Sequence, residues 1–396
     1  MRLSSAGPLP SARFFVPCVS VIVMPGLFML LLWMSGGAGA SWPEACLEPK
    51  HFTVGTYVER AVPIEQGRVT LAGRLLVPNR PGPHPGVVLI PGGGRDDRLN
   101  YPPRFVAARL ARCGIAALVY DKRGTGGSDG DLEAATFEDL TADALAALRV
   151  LRAQDGVEAG RVGVIGFSQG GRLAPVVAAR DTAVAFVVTL ASPFTSVRQT
   201  RLYAIEQAAQ RLRLPAARRD TLLALWDAYF VRREAGASTA DLDARIRRLP
   251  ASLPEALRPP LSTAPPRGPL FNSAGHDATA AWRGLRVPFL ALFGERDQVV
   301  PVAASLRRLR EVLGEGAALE VLVVPGVDHS FQYPGWGARR FRFEDVVAGW
   351  VLAQTGLLGE CVLRLEALQA QATPPPRGIR PQGAGPCVPL PPSRGG

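Results

Sequence analysis

The chain has 396 residues, 20% of them charged and 47% hydrophobic, a balance that suits one large globular domain or two ordinary ones with a sizeable core. The formal charge of +11 does not point to nucleic acid, because Lys50 and Lys122 are the only lysines and the rest of the positive charge is arginine set in Ala-, Gly- and Pro-rich sequence. No basic run is interleaved with aromatics and no zinc-finger, RNA-binding or helix-turn-helix signature occurs, so a nucleic-acid partner is set aside.

At the N-terminus, Arg2 and Arg13 precede an apolar run from Phe14 to Met34, followed by small residues and an A-x-A site at Ala38-Gly39-Ala40. This is the order of a secretory signal, which sets residues 1–40 apart and predicts a periplasmic or secreted protein. The run is also long enough to span a bilayer, so an inner-membrane anchor facing the periplasm is the alternative. Removal of the signal would leave Cys46, Cys113, Cys361 and Cys387. Cys113 ends an amphipathic helical pattern and is expected in the core. The other three lie near the ends of the domain, where an exported protein could carry a disulfide whose pairing the spacing does not fix. No Cys/His spacing suggests zinc, and no cofactor is implied.

From Tyr57 to Pro78 the residues alternate apolar and polar around Gln66-Gly67, which predicts an antiparallel hairpin. "GVVLIPGGG" (from Gly86) is a buried strand ending in glycines. "YPPRFVAARLARCG" is a helix, "IAALVYDKRG" a strand, "FEDLTADALAALRVLRAQ" a helix and "RVGVIGFSQGG" a strand with its turn. A helix from Arg172 and a strand, "VAFVVTLASP", follow. After an interruption come "VPFLALFGERD", a helix, "LEVLVVPGVDHS" and a last helix from Phe343. Continuous apolar strands alternating with helices predict a mostly parallel sheet covered on both faces, an α/β fold over residues 41–370. The interruption, residues 194–286, reads as an inserted helical cap. The Pro/Gly-rich stretch 371–396 has a disordered composition.

Chemistry-bearing residues fall just after the strand ends, where such sheets carry their sites. Ser168 sits in Gly-Phe-Ser-Gln-Gly after a strand. A serine hydroxyl needs a base to take its proton, and that base needs an orienting carboxylate. Of the four histidines, His51 and His84 precede the sheet, His276 lies in the tail of the cap, and His329 alone follows a sheet strand. Asp297, after the preceding strand, is the favoured carboxylate; its other reading is a cap for the helix beginning near Pro301. Glu295 and Asp328 are alternatives, although Asp328, adjacent to His329, would tend to point away from the ring. An oxyanion would be held by backbone N–H groups of Gln169, at a helix start, and of Gly93, with Gly94 as the alternative. The triple glycine is not a phosphate loop, since no Gly-Lys-Ser/Thr follows.

Ser168, Asp297 and His329, in this order on this succession of strands, resemble the α/β-hydrolase fold with its nucleophile elbow. "VYDKRGTGGSDG" is similar to the Asp-x-Arg-Gly-x-Gly-x-Ser stretch of serine-aminopeptidase-like and dienelactone-hydrolase-like members, in which Asp121 and Arg123 would brace loops beneath the site. Where many members carry His-Gly before the oxyanion residue, this chain has Pro91-Gly92. The resemblance covers roughly residues 57–356. It implies a serine hydrolase acting on a small-molecule ester or amide, with no cofactor or metal. A peptidase, thioesterase or acyltransferase on the same triad is the alternative, and a non-catalytic binding protein of the same fold is a more distant one. Export has a direct expectation: expressed in a bacterium that reads the signal, the mature chain should begin near Ser41 by mass spectrometry, whereas an intact Met1 in the membrane fraction would establish an anchor.

Overall fold

The computed structural model describes residues 21–22, 56–95, 98, 103–247, 267–313, 318–334 and 341–357. The expected leader apart from Val21–Ile22, Cys46, His51, Cys361, Cys387, most of the Pro-rich stretch of the cap and the C-terminal tail lie outside the described residues. No helix among the described residues is long and apolar enough to cross a membrane.

A short β1 (Val21–Ile22) precedes the hairpin of β2 (Tyr57–Gln66) and β3 (Val69–Pro78), which turns at Gly67, where φ is 62°, a conformation glycine adopts without cost. Then come β4 (His84–Ile90), β5 (Ala116–Tyr120), β6 (Val157–Phe167), β7 (Val187–Leu190), β8 (Phe289–Gly294) and β9 (Leu319–Val324). The sheet order is β1-β9-β8-β7-β6-β4-β5-β3-β2, parallel from β1 to β5 and antiparallel where β3 joins β5 and β2.

The strands read as unbroken apolar runs because both faces are covered. Val87 and Leu89 of β4 face Val106 and Leu110 of α1 (Pro103–Arg112) and Val347 and Val351 of α10 (Phe343–Gln354). Arg109 pairs with Asp345 at 2.7 Å across that layer. Val88 and Ile90 point the other way, into a cluster with Leu148 and Leu151 of α2 (Phe137–Arg152), Val177 of α3 (Gln169–Arg180) and Leu309 of α9 (Val302–Leu313). Each such side chain, fully buried, contributes about 1.5–3 kcal/mol. Cys113 is buried just past α1.

Asp121 and Arg123 tie the loop after β5 to its surroundings. Asp121 accepts the N–H groups of Arg98 (2.8 Å) and Gly127 (2.7 Å) and pairs with the Arg98 side chain. Arg123 forks onto Asp143 at 2.8 and 2.6 Å and reaches Asp139 at 3.0 Å. Asp139 also completes a capping box with Thr136, so one loop fixes both the start and the flank of α2.

Between β7 and β8 run α4 (Val197–Arg211), α5 (Ala216–Glu234), α6 (Ala240–Arg247), α7 (Pro269–Asn272) and α8 (Thr279–Gly284). Trp226, Tyr229 and Phe230 of α5 form a core with Phe137, Leu173 and Phe271, the Phe230 and Phe271 rings stacked at 6.0 Å. Those aromatics fasten α5 to the domain and leave little of themselves to meet a substrate; Phe230 is 0% exposed. At the far end of the insertion, α8 packs on the sheet layer, Trp282 lying 5.1 Å from Phe194.

His276, between α7 and α8, meets the edge of Phe137 at 5.1 Å. Burial first, and the Arg172 charge second, lower its pKa from 6.5 to about 4. The unfolded chain therefore takes up a proton at this position at a pH where the folded chain does not, and stability should fall as the pH drops from about 6.5 toward 4. After discounting for partial exposure, the loss should be ~1–2 kcal/mol. Denaturant midpoints across this range should show the slope in the native protein and a flatter one in His276→Gln; equal slopes would place the acid sensitivity elsewhere.

Candidate active site

The strand order reverses beside β4, which pairs with β5 on one side and β6 on the other. The crevice at the carboxyl ends of these strands is where parallel sheets carry ligands. Ser168 stands there, between the last residue of β6 and the first of α3, with φ 51° and ψ −112°. A left-handed conformation at a non-glycine residue costs ~1–3 kcal/mol and has to be held by its surroundings. Here the Ser168 N–H donates to the Leu190 carbonyl at 2.8 Å, and the flanking glycines let backbones touch. A Cβ on Gly166 would lie 2.3 Å from the Gly170 carbonyl oxygen, and one on Gly170 would lie 2.3 Å from the Ile90 carbonyl oxygen.

His329, in the loop after β9, places Nε2 3.1 Å from Ser168 Oγ, and its Nδ1 lies 2.7 Å from Oδ2 of Asp297, in the loop after β8. Phe167 tilts against the imidazole at 5.4 Å. Asp297 is 2% exposed. Its Oδ1 accepts the N–H groups of Val299 (2.7 Å) and Val300 (2.8 Å), forming a turn ahead of α9, which leaves Oδ2 for the histidine. Glu295 accepts the Gly326 N–H at 2.8 Å, and Asp328 accepts those of Ser330 and Gln332 at 2.9 and 3.0 Å, so both alternative carboxylates are occupied in shaping loops. His84 reaches the Arg80 carbonyl at 3.1 Å. Among the described residues no cluster of three His, Cys, Asp or Glu is arranged to hold a metal ion.

Gly93 and Gln169 come side by side: a Cβ on Gly93 would lie 4.0 Å from Gln169 Cβ. Gly94, the alternative donor, has φ 74° and open space around it. Lys122 joins the two sides of this corner, its Nζ donating to the Gly92 carbonyl (2.8 Å) and the Gln169 side-chain oxygen (3.3 Å). Nothing in the local sequence pattern marks it beyond the near-absence of lysine from the chain.

The cap is fastened to this machinery at two points. Arg172, buried in α3 with its pKa drawn down to about 10 by desolvation, donates to the Thr195 carbonyl (2.7 Å) and to Thr200 Oγ1 (3.1 Å). Tyr203 of α4 donates its hydroxyl to the Asp297 carbonyl at 2.8 Å. A cavity of about 540 Å³ opens between α4, α5 and the start of α9, lined among others by Thr195, Leu202, Tyr203, Leu223, Asp227 and Pro301. It lies behind the Asp297 loop and does not include Ser168 or His329 in its wall.

Residues 87–348 match the model of the Alpha/beta hydrolase family. The chain is 34% identical over 140 residues to Esterase EstD of Thermotoga maritima, a match covering 33% of each protein, so it spans about a third of that relative's length. Among solved structures, a hypothetical protein, PA2218, from Pseudomonas aeruginosa superposes with a TM-score of 0.51 at 20% identity, over 76% of this chain and 95% of that one. DcsB in complex with its substrate analogue gives 0.51 at 17%, over 75% and 99%. These last two likenesses are of fold alone.

The geometry predicts the reactivity of the site. A fluorophosphonate probe should label Ser168 in the native protein and nothing in Ser168→Ala. Asp297→Asn should slow labelling by ~10²–10⁴-fold, because the imidazole loses its fixed tautomer. Glu295→Gln and Asp328→Asn should stay within a few-fold; if either slows labelling more than Asp297→Asn does, the carboxylate is misassigned.

Proposed function

The chain belongs to the alpha/beta hydrolase family, and we propose that it is an exported serine hydrolase that cleaves carboxylic esters through Ser168, His329 and Asp297. One observation carries this reading: the unbroken hydrogen-bond path from Asp297 through His329 to Ser168, at 2.7 and 3.1 Å, at the strand ends. The local match to an esterase supports it.

In the acylation step, Ser168 Oγ bonds to the ester carbonyl carbon while its proton passes to His329 Nε2 and the carbonyl π pair moves onto oxygen. The resulting anion lies against the N–H groups of Gly93 and Gln169, the latter at the unpaired start of α3, whose dipole favours negative charge. When the intermediate collapses, the C–O bond to the alcohol breaks and the alkoxide takes the proton from Nε2, leaving an acyl-enzyme. Water then repeats the sequence, giving its proton to Nε2, and the acid leaves as Ser168 recovers its hydrogen. Asp297 holds Nδ1 protonated and offsets the imidazolium charge in both halves.

Substrate identity belongs to the surfaces around Ser168. A panel of acyl esters, lactones, thioesters and aminoacyl amides would separate an esterase from a peptidase, thioesterase or acyltransferase on the same triad. The leader-like residues 1–40 support export.

Ser168→Ala should lower hydrolysis of p-nitrophenyl acetate by ~10³-fold or more, with Tm nearly unchanged, since the glycines rather than the hydroxyl shape the turn. Retained hydrolysis in the alanine variant would remove Ser168 from the reaction.

A further inference from the structure

Lys122 is one of only two lysines in a chain whose other basic residues are arginines, and it is 2% exposed. It follows β5, yet its ammonium ends at the carboxyl ends of β4 and β6. There it donates to Gly92 O at 2.8 Å and to Gln169 Oε1 at 3.3 Å. From these contacts we infer that Lys122 is a positioning residue that aims the N–H groups of Gly93 and Gln169 at the oxyanion, an inference that rests on the ester-cleaving reading above.

The Gly92 carbonyl and the Gly93 N–H belong to one trans peptide and point in opposite directions. Holding the carbonyl toward Lys122 therefore turns the N–H the other way. Gly92, Gly93 and Gly94 form a run with wide conformational freedom, so the direction of that peptide has to be fastened from outside. Fixing the Gln169 side chain with the same ammonium ties the second donor to the first. The anchor itself is held: the Lys122 carbonyl accepts the Thr125 N–H (3.0 Å) and hydroxyl (2.8 Å), and Arg123 beside it is clamped to α2. A compact ammonium can donate to two oxygens from different segments, where a planar guanidinium would need a wider opening. Its charge also favours the transition state, in which negative charge develops on the substrate oxygen, over the neutral ester.

The test compares Lys122→Met and Lys122→Gln with the native protein, counting active sites by fluorophosphonate titration. In Lys122→Met, kcat per titrated site on p-nitrophenyl acetate should fall ~10–100-fold with KM within about twofold, somewhat less than the loss of a whole oxyanion donor. The inhibition constant of phenylboronic acid, whose serine adduct puts an oxygen where the oxyanion would sit, should rise by a similar factor. Lys122→Gln, whose amide can still donate, should recover part of both. If Lys122→Met does not fold, Lys122→Gln is read by the same two quantities and should still lose several-fold in each. Native kcat per site and native boronate affinity in a folded variant, with only Tm or the titratable fraction lowered, would overturn the positioning role and leave the ester reading standing. A native protein that neither cleaves esters nor is labelled at Ser168 would overturn both.

Discussion

Everything at the site depends on one close crossing of backbones. Gly166 at the end of β6 has no room for a Cβ beneath the Gly170 carbonyl, and Gly170 has none beneath the end of β4. Three segments are therefore wedged together with only hydrogen atoms between them, and Ser168 is forced into a left-handed conformation at the apex. The wedge does two things at once. It lifts the hydroxyl clear of the sheet toward His329, and it draws the glycine run after β4 against the first turn of α3. Ser168 and the N–H groups of Gly93 and Gln169 are then parts of one corner, while His329 and Asp297 arrive on loops from β9 and β8, whose strands are neighbours in the sheet. The strain at Ser168 is small beside the burial of apolar side chains on both faces of the same strands.

Much of this was legible in the sequence because the relevant signals are short in range. The alternation around Gln66-Gly67 marked the hairpin, the runs of Val, Ile and Leu marked strands buried on two faces, and the order of Ser168, Asp297 and His329 placed all three just past strand ends. What could not be read depends on contacts between distant segments. Asp297 reads in sequence as a helix cap or as the partner of His329; its Oδ1 shapes a turn at Val299 and Val300 that lies ahead of α9 and caps none of the N–H groups of that helix, while its Oδ2 meets His329. Trp226 and Phe230 recur at helical spacing, which marks an apolar face without saying what covers it. They are buried in one cluster with Phe271 and Phe137, which lie 45 and 89 positions away from Trp226. The role of Lys122 depends on Gly92 and Gln169 meeting, 30 positions on one side and 47 on the other, and no local pattern encodes such a meeting.

The loop after β5 shows how far a short motif can act. Asp121, Lys122 and Arg123 are consecutive, and they hold three different neighbours: the Arg98 backbone, the corner where Gly92 meets Gln169, and α2 near its start. The same turn thus links the domain's helical layer to the corner beside Ser168.

The hydroxyl of Tyr203 on the Asp297 carbonyl carries a consequence for how this architecture can diversify. An insertion joined to its host only at its two ends could be exchanged as a module, and new specificities could be had by grafting a foreign one between β7 and β8. Here α4 also holds the Asp297 backbone, and Arg172 ties that helix to α3, which begins beside Ser168. A transplanted segment lacking a donor at the Tyr203 position would arrive with the Asp297 loop unsupported. Recombination at these boundaries is therefore constrained to donors that bring an equivalent strut, and gradual substitution within the existing helices is the less disruptive route to a new substrate.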